Sequence, residues 1–162
     1  MIHYDSISAL IAAAEEQQKP LSQLILEDQA EAMERPQQEL YDEMAHMLEV
    51  MKEAVRDGVD PNLRSTSGLT GGDAARLKKQ GDEGKNLCGP TFGHALTKAV
   101  AVAELNAAMG RIVAAPTAGS CGILPGALLT LMEDKNIPQE KTVMAMFTAA
   151  GFGMVIANLA SI

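Results

Sequence analysis

Residues 91–110, TFGHALTKAVAVAELNAAMG, carry small side chains at almost every position around a helix. A helix of that kind has no broad polar face to offer water, so it belongs among other helices. The same character continues to the end of the chain, where 15 of the last 72 residues are alanine. Aromatic residues make up only 3% of the sequence and Trp is absent, so Ala, Leu, Val, Ile and ten Met must fill the core. No segment alternates apolar and polar residues as a strand does. The expected fold is all-α, and 162 residues suffice for one helical domain, 1–162, to bury a core without disulfide bonds.

Local signals place the helices. DSISALIAAAEEQQ starts at a cap, Asp5 or Ser6, and Pro20 suits the first turn of the next helix, where Leu21, Leu24, Ile25, Ala32 and Met33 recur at helical spacing. In PQQELYDEMAHMLEVMKEAVRDG, the residues Leu40, Met44, Met47, Leu48, Met51 and Val55 form an apolar stripe, read as core, and Gly58 ends the helix. Residues 59–90 are rich in Gly, Pro, Ser, Thr and Asp and read as loop, with one short helix near Asp73–Gln80. Such a loop is either a surface connection or an ordered segment that brings hydroxyls and amides to a site. A helix from about Leu124 to Asn136, a break at Pro138 and a last helix to Ile162 complete the chain.

Charge narrows the function classes. The net charge is −8, with 13 acids and 4 bases in residues 1–57 against 8 and 9 in the remainder. Nucleic-acid binding needs a basic patch and is not expected. Two cysteines without a signal-peptide pattern fit a reducing, cytoplasmic setting, with Cys88 and Cys121 as free thiols. The uncharged runs Ile112–Met132 and Thr142–Ile162 are each long enough to span a bilayer. The first is interrupted by Pro116, Pro125 and three glycines, and neither run has an aromatic girdle, so no membrane is expected.

The loop PTAGSCGILPG concentrates the chemistry. Pro116 ends the preceding helix, Gly119 and Gly122 permit tight backbone angles, and Pro125 lies in the first turn of the next helix. Cys121 thus sits near a helix N-terminus, where amides and macrodipole favour a thiolate and an anion pocket together. Thr117 and Ser120 add hydroxyls. Equally, the segment is a tight turn between buried helices, with a small cysteine filling space.

AELNAAMGRIVAAPTAGSCGILPGALL, with the upstream SGLTGGDAARL, resembles the alpha chain, or catalytic domain, of the iron–sulfur L-serine dehydratases, from about residue 4 onward. The resemblance implies a pyridoxal-phosphate-independent lyase of amino-acid catabolism that converts L-serine to pyruvate, a gluconeogenic product, and ammonia. It implies a 4Fe-4S cluster whose free iron binds the serine hydroxyl as a Lewis acid, while a base removes the α-proton. It further implies that Cys121 is the cluster cysteine and that Thr117, Gly119 and Ser120 belong to the loop lining the substrate pocket. Ser67, Thr70 and Gly71 lie in the matching upstream loop, and Cys88 matches no cluster motif and is structural. A beta chain or domain is the implied partner, in a homo-oligomer.

The family carries further cysteine-bearing segments, whereas this sequence stops at Ile162 inside an apolar helix. The expectation is the N-terminal portion of a longer catalytic domain that by itself holds no cluster and turns nothing over. An apolar face on residues 142–162 would then promote association. The catalytic base is not identified: His3, His46, His94, Lys98 and Glu104 all read as helix-face or paired residues. Two other classes stand beside the enzyme, a helical module that binds a small carboxylate without chemistry and a membrane hairpin.

Overall fold

The computed structural model describes residues 4–160, and every described element is helical. Helices α1 (Ile7–Glu16), α2 (Leu21–Met33), α3 (Gln37–Gly58), α4 (Asp73–Asp82) and α5 (Pro90–Ala107) are followed by a 3-10 turn (Ala118–Ser120), α6 (Ile123–Asp134) and α7 (Gln139–Leu159). His3 and the chain end at Ile162 lie outside the described residues. Contacts divide the chain into two compact units, and the chain passes between them twice, within α3 between His46 and Met47 and again between Pro138 and Gln139.

The first unit contains α1, α2, the start of α3 and α7. Ser6 is the cap of α1, its Oγ accepting from the Ala9 amide at 3.0 Å. Tyr4 donates to Asp28 Oδ2 at 2.7 Å. Burial, reinforced by that carboxylate, pushes the Tyr4 phenol up to about 12. Helix α2 turns Leu24, Ile25, Leu26 and Ala30 inward and packs on α7, which buries Val143, Met146, Phe147, Gly151 and Val155. Ala32 and Met33, expected in the apolar stripe of α2, are exposed, because Leu26 and Ala30 complete the buried face instead. By length and composition α7 could cross a membrane. The run 112–132 could not do so as one helix, since residues 111–117 are non-helical.

The second unit, Met47–Pro138, is assembled on α5. Helix α3 meets it through Ala54, which packs with Val102 and Leu105, and Gly58, one turn on, which lies against the α5 main chain. A β-carbon on Gly58 would collide with the Ala101 carbonyl. This contact shifts the buried face of α3 from the expected stripe: Leu48 and Met51 are buried, but Met47 is 42% exposed. Helix α4 packs on one side of α5 and α6 on another. The alanine-rich α5 is therefore not enclosed: Gly93, Thr97, Ala101, Val102, Glu104 and Leu105 are buried, while Phe92, Leu96, Ala103 and Ala107 face solvent.

Two glycines in α7 test this packing. At Gly151 a β-carbon would overlap the buried Ile25 side chain, whereas nothing lies within 4 Å of the position at Gly153. Gly151→Ala should destabilise by about 1–3 kcal/mol through overpacking. Gly153→Ala should stabilise by about 0.5–1 kcal/mol, the ordinary helix preference. Thermal melts of the two variants should move in opposite directions.

Candidate functional site

The last turn of α5 holds the loop Gly110–Gly122. Asn106 Nδ2 donates to the Ala118 carbonyl at 3.1 Å. Inside the loop, whose Ala115–Pro116 peptide is cis, Thr117 and Ser120 bind each other. The Thr117 amide donates to Ser120 Oγ at 3.3 Å, the two hydroxyls lie 3.1 Å apart, and the Ser120 amide donates to the Thr117 carbonyl at 3.2 Å. Ser120 Oγ is also within 3.2 Å of the Ala115 and Thr117 carbonyls. Its hydroxyl is thus engaged in shaping the turn. Gly119 is exposed at the tip, with Thr117 Oγ1 at 3.7 Å as the nearest group to a β-carbon.

Gly122 differs from its expected role. Its φ of −84° is ordinary helical backbone, and a side chain is excluded by space instead, because a β-carbon would strike the Ala99 carbonyl of α5. Gly126, one turn on, brings its β-carbon position within 2.8 Å of the Ala95 carbonyl. Glycine at 122 and 126 lets α6 approach α5 closely.

Cys121 lies beneath the loop, 1% exposed, in a cluster with Ala54, Val102 and Leu105. The expected thiolate-favouring environment is not what the fold provides. Burial pushes the Cys121 thiol up, and backbone hydrogen bonding opposes this only in part. Cys88 is exposed.

The upstream loop meets the same turn of α5. The Thr66 amide donates to the Ala107 carbonyl at 3.1 Å. The loop closes on itself through the Ser65 amide to the Thr70 carbonyl at 2.9 Å, the Thr70 amide to Ser65 Oγ at 3.2 Å and the 3.1 Å contact of the Ser65 and Ser67 hydroxyls. Ser67 and Thr70 are exposed, and Gly71, at φ 138°, passes so close to the Leu63 carbonyl that no side chain fits. The two motif loops therefore share an anchor: residues 104–107 of α5 fix both.

Of the base candidates, Glu104 is buried and its carboxylate accepts from the amides of Gly72, Asp73 and Ala74. Its signal in the sequence is a carboxylate inside an apolar helix, which demands a buried partner. Asn106 had no such signal. His94 and Lys98 lie toward the other end of α5. There His94 Nδ1 is 3.1 Å from Asp134 and Lys98 Nζ is 2.9 Å from Glu133, beside a cleft of about 520 Å3. To Cys121's neighbour Leu105 the helix rises about 16 Å from residue 94 and about 10 Å from residue 98, and both side chains pair with α6 instead of the loops. The Thr91 hydroxyl and then the His94 ring hold the Asp134 carboxyl below the usual carboxylate range. His46 is exposed on α3. No group of three or more His, Cys, Asp or Glu side chains that could hold a metal ion occurs among the described residues.

The serine dehydratase alpha chain family model matches residues 16–162. The probable L-serine dehydratase, alpha chain, of Bacillus subtilis (strain 168) is 41% identical over 159 residues, covering 98% of this chain and 53% of that protein. The L-serine dehydratase, alpha chain, of Peptoniphilus asaccharolyticus is 29% identical over 138 residues, 85% of this chain and 47% of that protein. The L-serine dehydratase of Streptomyces coelicolor is 31% identical over 159 residues, 94% of this chain and 34% of that protein. The chain spans about half the length of the first two relatives. No solved structure matches.

The two thiols should separate by reactivity. In the native protein at neutral pH, iodoacetamide should modify exposed Cys88 well before buried, protonated Cys121, and denaturation should abolish the difference. Peptide mass spectrometry reads both rates, and equal native rates would contradict the burial of Cys121. Asp134 sets a pH dependence. A carboxyl lowered on folding stabilises above its unfolded pKa, and that contribution is lost as pH falls through the folded value. Asp134→Asn should therefore melt below the wild type at neutral pH and match it once the wild-type carboxyl is protonated.

Proposed function

The chain belongs to the serine dehydratase alpha chain family, and on that premise we propose that it forms part of an L-serine ammonia-lyase, which converts L-serine to pyruvate and ammonia. The observation that carries the proposal is the meeting of its two motif loops on one turn of α5, at Asn106 and Ala107. In the proposal Ser67, Thr70 and Gly71 bound the substrate on one side, and Thr117, Gly119 and Ser120 bound it on the other. The Ser120 hydroxyl, already bonded within its turn, keeps the Thr117–Cys121 backbone in place.

The proposal includes a 4Fe-4S cluster with Cys121 as one ligand, and no pyridoxal phosphate. The described residues alone do not fit such a cluster. They offer one buried thiol with a raised pKa and no cluster of ligating side chains around it, whereas these clusters are held by several thiolates. The sequence holds only two cysteines, so this chain by itself should bind no intact cluster. What its own residues supply is the loop frame. The proposed setting is cytoplasmic, in a homo-oligomer, with a beta chain or domain as partner.

The protein that carries this chain should form pyruvate from L-serine, lose that activity in air and keep it in hydroxylamine. Activity that survives air and disappears with hydroxylamine would point to a pyridoxal enzyme instead. Cys121→Ser should strip iron and visible absorbance, because a hydroxyl does not replace a thiolate on iron, while Cys88→Ser should leave both. Equal loss from the two substitutions would refute the separate roles. Residues 1–162 alone, reconstituted anaerobically with iron and sulfide, should give neither a stoichiometric cluster nor turnover.

A further inference from the structure

Among the described residues Glu104 is the one charged side chain that is buried. Its carboxylate lies against the start of α4, with Oε1 2.8 Å from the Asp73 amide and Oε2 3.1 and 3.3 Å from the Gly72 and Ala74 amides. A helix leaves its first amides without internal partners, and its dipole favours negative charge there. Gly72, the cap residue of α4, has no side chain to satisfy them. The left-handed φ values of Gly71 and Gly72, 138° and 83°, are turns that other residues would strain to make. The N-terminus of α4 thus has the make-up of an anion-binding site already filled by a carboxylate of the same chain.

The turn that carries Glu104 also carries Asn106 and Ala107. Glu104 fixes residues 72–74, the Ala107 carbonyl fixes Thr66, and Asn106 fixes Ala118. We propose that Glu104 is a positioning residue: by occupying the N-terminus of α4 it sets loop 65–72 against the turn that holds loop 117–121, and it closes those amides to a substrate carboxylate. The link to substrate rests on the dehydratase proposal above; the link between the loops does not. Two consequences separate this role from simple capping. Removing the carboxylate should loosen both loops, and a small free carboxylate should refill the vacancy.

The test is amide hydrogen exchange on wild type, Glu104→Ala, Glu104→Gln and Asn106→Ala, with and without sodium formate. In Glu104→Ala, exchange at Gly72, Asp73 and Ala74 should rise about 10- to 100-fold, as expected when charge-assisted bonds are lost. It should rise at Thr66, Ser120 and Cys121 as well. Formate should restore protection at both loops in Glu104→Ala and do nothing to wild type. If that variant does not fold, Glu104→Gln, which keeps the shape without the charge and leaves no vacancy for formate, should show the same rise in exchange at both loops more weakly and without rescue. Asn106→Ala should free 118–121 and leave 72–74 protected. In the protein that carries the chain, kcat/KM for L-serine should fall about 10- to 100-fold in Glu104→Ala and recover with formate. Exchange that rises only at 72–74, or formate without effect, would overturn the proposal and leave Glu104 a helix cap. Absence of serine turnover in the wild type would defeat the dehydratase reading instead, and the exchange result would still judge Glu104.

Discussion

Helix α5 is approached main chain to main chain. Gly58 of α3, Gly122 at the cap of α6 and Gly126 within α6 lie so near its backbone that a β-carbon would meet the carbonyls of Ala101, Ala99 and Ala95. Close-packed interiors tolerate little added volume, so three residue identities set how near these helices come. Ala99 adds to this, since its β-carbon lies 3.1 Å from the β-carbon position of Gly126 and a larger side chain there would hold α6 off. The contacts at both ends of the helix depend on this spacing.

At the C-terminal end the spacing brings Cys121 under the loop, into the cluster of Ala54, Val102 and Leu105. The thiol is therefore shaped by apolar burial more than by the helix terminus beside it. Polar chemistry is confined to the rim, where Asn106, Glu104 and the Ala107 carbonyl meet backbone from two loops. The division is physically reasonable. Buried amides must find partners, and one helical turn offering a carboxylate, an amide and a carbonyl serves several at once.

Much of this was legible in the sequence. Ser6, Pro20, Gly58 and Pro138 marked helix boundaries, and the absence of strand periodicity fixed the class. The two motif loops could be located, but not the turn that ties them. Asn106 looks like any polar helix residue, and its bond to Ala118 depends on where the chain returns. Helical spacing alone also does not show that Val50 is buried and Met47 exposed on α3, because that choice depends on tertiary packing. A glycine at 122 does not disclose its own reason: conformational freedom and lack of space leave the same residue in a sequence, and only packing separates them.

The turn Thr117–Ser120 satisfies most of its own hydrogen-bonding groups, and Ser65–Thr70 does the same upstream. Chain segments that must be ordered by a ligand subtract the cost of that ordering from affinity, about 0.5–1.5 kcal/mol for each immobilised side chain. Here the order is present beforehand, so the entropy of shaping these loops is lost during folding and not during recognition. A ligand bound there would meet a surface already set, and its affinity would carry the costs of desolvation and of its own lost freedom, but not that of ordering the loops.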